Sequence, residues 1–200
     1  MAINSTEQTK RYIGFGLNEN KPTSEFYPSP RIAVTKLLDY MDFGEVIAEP
    51  ACGNGAISSI LEEYGYQVYS TDLNDWGYGL ANHDFLTTSY YDDLKLDAVI
   101  TNPPFNIPRG ISGKFVERGL ELTKNTNGKV AILQKLTFLE GVTRNKLFKE
   151  LPFSKCLVFS ARLPRMHRFD YEGKKETSMI AFAWFIWDWK HTGPSELDWI

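Results

Sequence analysis

Five short apolar runs recur along the chain with helix-forming segments between most of them. They are "EVIAEP" (45–50), "YQVYSTD" (66–72), "LDAVITN" (96–102), "KVAILQ" (129–134) and "KCLVFS" (155–160). Runs of this length that are apolar on both faces fit strands of a covered parallel sheet better than strands with one wet face. The segments "GAISSILEEYG", "SGKFVERGLELT" and "GVTRNKLFKEL" read as the crossover helices, and Gly65 is placed to end the first of them. A helix is also expected from Pro30 to about Tyr40, with Ser29 as its N-cap and Pro30 at its first position. The last apolar run, "TSMIAFAWFIW" (177–187), follows a loop rather than a helix, so it is expected to run antiparallel at or near the sheet edge. The predicted fold is α/β: a mostly parallel sheet with helices on both faces and an antiparallel last strand.

In such sheets ligands bind beyond the carboxyl ends of the strands, and three of those ends carry polar residues of a distinctive kind. The first strand ends in Glu49 and leads into "EPACGNG", where Gly53 and Gly55 allow a tight turn and close backbone approach. The second ends at Asp72, placed to accept from two ribose hydroxyls. A dinucleotide site is the alternative, but the third glycine of that fingerprint is absent and Glu49 would repel a pyrophosphate. Glu49 suits a ligand with a cationic or amino end.

The third strand ends in "NPPF" (102–105), and two adjacent prolines make that turn stiff and unable to pair into the sheet. The Asn102 side-chain oxygen and the Pro103 carbonyl are two acceptors on one rigid turn, suited to both hydrogens of an exocyclic –NH2. Phe105 offers a flat face for a planar base. No strong general base is required, because the proton can leave after the nitrogen is methylated. Gln134 and Lys135 end the fourth strand on the same side, within reach of a substrate phosphate, and Arg144 is expected to pair with Glu140 on a helix surface.

Taken together, "EPACGNG", Asp72, "HDF" (83–85) and "NPPF" resemble the class I S-adenosylmethionine-dependent amino-methyltransferases, and their order is that of the γ-type DNA adenine-N6 enzymes. "FYPSP" (26–30) resembles the segment that precedes the cofactor loop in that group, and residues 133–200 resemble small phage and prophage members. The resemblance implies a Rossmann-like fold, a mostly parallel seven-stranded sheet with helices on both faces and an antiparallel last strand, and S-adenosylmethionine as cofactor. It implies contacts from Tyr27, Pro30, Glu49, Pro50, Ala51, Gly53 and Gly55 to the methionine end, and from Asp72 and Leu73 around the ribose. Asp84 would accept from the adenine amino group, with Phe85 beside the ring and Asn102 bordering the same pocket. Asn102, Pro103, Pro104 and Phe105 would hold the target base. The implied reaction is methyl transfer to an exocyclic amine, foremost adenine N6 in DNA. An RNA or protein-glutamine amine is the alternative, and an inactive cofactor-binding scaffold subunit is the alternative of another class.

Composition bounds the partners. With 42% apolar and 24% charged residues in 200, the chain reads as one folded domain over 25–200 behind a flexible segment 1–24. A separate target-recognition domain is not expected. The longest apolar stretch, 179–187, is too short to cross a bilayer, and the polar N-terminus lacks a signal-peptide core, so a cytoplasmic location and no membrane partner are expected. Cys52 and Cys156 form no metal-binding or disulfide pattern, and no metal is expected. Net charge is −3, yet residues 161–175 carry Arg162, Arg165, Arg168, Lys174 and Lys175, a loop suited to nucleic-acid phosphates. A partner subunit or a second copy is the other source of target recognition.

Overall fold

The computed structural model describes residues 27–105, 110–164, 166 and 178–200. Helix α1 (Arg31–Tyr40) leads into strand β1 (Val46–Glu49), helix α2 (Ser58–Glu63) and strand β2 (Gln67–Ser70). A long irregular connection then reaches β3 (Ala98–Thr101), followed by α3 (Ile111–Thr123) and β4 (Lys129–Lys135). After two short 3-10 turns come α4 (Asn145–Lys149), β5 (Phe153–Val158), β6 (Phe182–Asp188) and β7 (Glu196–Trp199). The strands form one seven-stranded sheet in the order β2-β1-β3-β4-β6-β5-β7. Strands β1 to β4 are parallel, and β6 is antiparallel to both neighbours.

Alternation along the strands divides the core between two faces. Ala98 and Ile100 of β3 face one way, into a cluster with Val34 and Leu37 of α1 and Ile60 and Leu61 of α2. Val99, between them, packs with Phe115 and Leu120 of α3 and Leu147 of α4. Helices thus cover both faces, as the uninterrupted apolar runs predict. The tryptophans at the end of the chain lock the layers together. Trp184 Nε1 donates to the Ala33 carbonyl at 2.8 Å, Trp187 Nε1 to Leu147 at 2.7 Å, and Trp189 Nε1 to Leu120 at 3.0 Å. A buried indole needs such an acceptor. Each of these bonds fixes a helix, α1, α4 and α3 respectively, against the sheet.

Two details differ from the sequence reading. The antiparallel strand β6 lies inside the sheet, between β4 and β5, not at its margin. The edge is taken by β7, which pairs in parallel with β5 through Cys156↔Leu197 and Leu157↔Asp198. Its sequence, "ELDW", is mostly exposed and lacks an apolar period, so nothing but pairing marks it as a strand. The segment 1–24 and four of the five basic side chains of the 161–175 loop lie outside the described residues, as do Arg165 and Arg168 by name.

Topology decides where a ligand can sit. The chain steps outward from β1 to β2 and then returns to β3 on the other side of β1. That reversal opens a crevice beyond the carboxyl ends of β1 and β3, where Glu49 and Asn102 stand.

Candidate active site

A cavity of about 360 Å³ fills this crevice. Its floor is Glu49, Pro50, Ala51 and Cys52, and Asp72 and Leu73 come from the end of β2. The long β2–β3 connection supplies His83, Asp84 and Phe85. Asn102, Pro103, Pro104 and Phe105 form another wall, and Tyr27, Pro28 and Ser29 close the site from the chain preceding α1. Residues from three strand ends, the β2–β3 connection and the chain before α1 thus meet in one space. Pro30, Gly53 and Gly55, expected among the cofactor contacts, do not line the cavity.

The glycine turn is built around Asp72. Its Oδ2 accepts from Gly53 N at 3.0 Å, and its Oδ1 accepts from Asn74 N at 2.9 Å and Trp76 Nε1 at 3.2 Å. A carboxylate offers about four lone-pair directions. Three are taken by these protein donors, which leaves about one for a ligand in the cavity. Gly53 and Gly55 have φ of +55° and +80°, as the tight turn demands. At Gly55 a Cβ would also stand 2.6 Å from the Tyr78 ring. Gly55→Ala is therefore expected to cost about 1–3 kcal/mol of stability. A thermal melt equal to wild type would contradict this reading of the turn.

Glu49 is only 1% exposed. The Ser58 hydroxyl donates to its Oε2, and Ser58 Oγ lies 2.6 Å from Ser70 Oγ. Burial raises its pKa well above the ordinary carboxylate value, partly opposed by the Ser58 hydrogen bonds, and the nearby Asp72 charge adds to the rise. The folded protein thus holds a proton that the unfolded chain releases near pH 4.5. Above that pH the native state binds more protons, so this group makes stability fall as pH rises towards the raised folded value. Glu49→Gln should remove that decline. Melting temperatures followed from about pH 5 to pH 8 should drop less in the variant than in wild type; equal slopes would show that Glu49 does not carry the proton.

Asn102 is held by its nitrogen. Nδ2 donates to the Ser29 hydroxyl at 3.1 Å and to the Tyr27 carbonyl at 3.3 Å, with the Met166 sulfur at 4.0 Å. The carbonyl can only accept, so the amide is oriented with nitrogen towards it. The other amide atom, Oδ1, is shielded from water and takes no donor among the described residues. Behind the turn, the Ser112 hydroxyl donates to the Pro104 carbonyl at 2.7 Å and itself accepts from Gln134 Nε2 at 3.0 Å. Gln134 is buried. It braces the "NPPF" turn from within and is not available to a phosphate.

Phe105 packs on Phe182, with ring centroids 5.9 Å apart, and carries the Lys135 ammonium 5.2 Å from its centroid. A base stacking on the face under Lys135 must displace that ammonium. Asp84 is exposed, and its Oδ1 accepts from Leu86 N at 3.0 Å. Phe85 is buried against Phe115 and Tyr91. Arg162 is exposed away from the cavity. Arg144 does not pair with the Glu140 carboxylate; it donates to the main-chain carbonyls of Thr137, Phe138 and Glu140. Cys52 borders the cavity, but burial pushes its thiol up to about 12, so it offers no thiolate at neutral pH. Among the described residues no cluster could hold a metal ion, and no helix is long and apolar enough to cross a membrane.

Ser29, Ser112 and Lys114 are site residues that sequence reasoning missed. Ser29 was hidden by its position, since a serine before Pro30 reads as an N-cap. In the structure α1 takes no side-chain cap bond, and the hydroxyl serves Asn102 instead.

No protein-family model matches the chain. A curated relative, tRNA (guanine(10)-N2)-dimethyltransferase of Methanothermobacter thermautotrophicus, is 29% identical over 111 residues, which cover 46% of this chain and 33% of that protein. A type I restriction-modification methyltransferase subunit from Streptococcus thermophilus superimposes with a TM-score of 0.61 at 17% identity, over 86% of this chain and 46% of that one. A candidate RNA methyltransferase from Pyrococcus horikoshii gives 0.62 at 18% identity, over 92% and 98%. The chain thus spans a third to a half of the first two relatives. These two solved structures are described as methyltransferases, and this chain shares their Rossmann-like fold.

Proposed function

We propose that the protein transfers a methyl group from S-adenosylmethionine to an exocyclic amino group of a nucleic-acid base, foremost adenine N6 in DNA. The observation that carries this reading is the Asn102 amide, whose nitrogen is tied down and whose oxygen is a desolvated acceptor with no donor among the described residues. An arriving N–H gains a full hydrogen bond there at no further desolvation cost to the acceptor.

The cavity chemistry fits the cofactor. Glu49 is a buried carboxyl hydrogen-bonded by Ser58, and an arriving ammonium would favour its charged form, which suits the cationic methionine end. Asp72 offers a remaining acceptor to the ribose, and Asp84 an unengaged oxygen to the adenine amino group. When bound, the cofactor supplies an electrophilic methyl on a sulfonium. The residues of this chain position the amine: Asn102 Oδ1 and the Pro103 carbonyl accept its two hydrogens, which turns the nitrogen lone pair towards the methyl. Transfer would join that nitrogen to the methyl as the cofactor leaves as a thioether, and the nitrogen would then lose a proton to water. Phe105 is the stacking platform. In a duplex the target must first leave the stack, at a cost of a few kcal/mol.

The tRNA guanine-N2 relative favours a second reading in which an RNA guanine amine is the acceptor. The same two acceptors would serve it. Labelled S-adenosylmethionine offered with duplex DNA, single-stranded DNA, tRNA and protein distinguishes the readings. Label entering DNA supports the first and label entering only tRNA the second. Label in none of them, with no heat of cofactor binding, contradicts both.

A further inference from the structure

We propose that Ser29 is a positioning residue for methyl transfer, its hydroxyl holding the plane of the Asn102 amide so that Oδ1 stays aimed at the target amine. This rests on the amino-methyltransferase reading above. An asparagine amide turns easily about its last side-chain bond, and the direction of its oxygen matters only if something fixes it. Two groups do. The Tyr27 carbonyl, at 3.3 Å, sets the polarity, because a flipped amide would turn oxygen against oxygen. The Ser29 hydroxyl, at 3.1 Å, is the closer of the two and the only one carried by a side chain.

The hydroxyl has no competing structural duty on its helix. Pro30 is the N-cap of α1 and the helix start takes no side-chain hydrogen bond, so loss of Ser29 Oγ removes no cap. Ser29 is itself buried, with 8% exposure, and its bond to Asn102 is shielded from competing water. Tyr27 and Ser29 also line the cofactor cavity. The same short stretch therefore borders the methyl donor and orients the group that receives the acceptor nitrogen.

The test uses the full chain, with Ser29→Ala and Ser29→Thr beside wild type. Single-turnover transfer from labelled S-adenosylmethionine to an adenine-containing duplex oligonucleotide should be about 10-fold slower in Ser29→Ala and restored in Ser29→Thr, which keeps the hydroxyl. Cofactor affinity by calorimetry and the melting temperature should stay close to wild type, which separates positioning from a folding defect. The doubly substituted Ser29→Ala, Asn102→Ala protein should be no slower than Asn102→Ala alone. As a readout independent of turnover, the Asn102 side-chain amide signal in a 15N spectrum should shift in Ser29→Ala and not in Ser29→Thr. A wild-type transfer rate in Ser29→Ala overturns the proposal. If wild type itself methylates neither DNA, tRNA nor protein, the amino-methyltransferase reading fails, and an unmoved amide signal would then refute the Ser29–Asn102 linkage on its own.

Discussion

Asn102→Ala is expected to lower the rate of methyl transfer by at least about 100-fold, the scale on which loss of an aligning group acts. The side chain makes no covalent contribution, so the whole effect is geometric. Without Oδ1, the incoming amine keeps one acceptor of two and its lone pair loses direction. Cofactor affinity should be nearly unchanged, because the groups proposed for the cofactor, Glu49, Asp72 and Asp84, belong to other elements. Stability should change little as well: the oxygen removed has no donor among the described residues, and the Tyr27 carbonyl and Ser29 hydroxyl it releases lie at the cavity wall. Single-turnover kinetics and calorimetry check the two halves of this statement separately. Wild-type turnover in the variant would remove Asn102 from the reaction.

Asp72→Ala should act on both binding and folding. Gly53 N, Asn74 N and Trp76 Nε1 would lose their common acceptor, leaving buried or half-buried donors unpaired at about 1–3 kcal/mol in total stability. The glycine turn would lose its anchor to β2, and the ribose would lose a charged acceptor, so S-adenosylmethionine affinity should fall about 10- to 100-fold. Thermal melts and calorimetry measure the two losses. A variant that melts and binds like wild type would mean that the carboxylate neither builds the turn nor meets the cofactor.

The parts of the site that lie at strand ends were legible in the sequence, for a physical reason. A strand covered on both faces is largely apolar, so the charged or amide residue that ends it stands out, as Glu49 does on β1 and Asn102 after β3; Asp72 follows the half-exposed edge strand β2 and stands out as the acid after its polar end. The bracing was not legible. Gln134 follows an apolar run as any exposed strand end would, and only the tertiary structure shows its amide turned inward to Ser112. Ser29 satisfied a local rule so well that its long-range partner was invisible. Arg144 stood at the right spacing from Glu140 for an ion pair, yet three main-chain carbonyls outcompete the carboxylate. The edge strand β7 is polar because it is an edge, with Lys155 and Glu196 paired across its register.

The fold carries the same lesson in its order of strands. Alternating strands and helices imply a parallel sheet with its crevice at the switch between β1 and β3, and the cavity is there. The insertion of β6 between β4 and β5 follows from burial, since "FAWFIW" is buried throughout and could not sit at an edge without exposing its tryptophans.

The central claim is that a methyl group goes to an exocyclic nitrogen, and the position of the methyl on the product nucleoside tests it most directly. An acceptor-only pair such as Asn102 Oδ1 and the Pro103 carbonyl can hold an –NH2 group but has nothing to offer a ring carbon. Carbon methylation would call for a thiolate, and burial holds the Cys52 and Cys156 thiols up at about 12 and about 11. After reaction with labelled S-adenosylmethionine, the methylated nucleic acid should be digested and its nucleosides separated against standards. The account predicts label on an exocyclic amine, N6-methyladenine from DNA in the first instance, and its loss in Asn102→Ala. Label in 5-methylcytosine or on a ring nitrogen would contradict it.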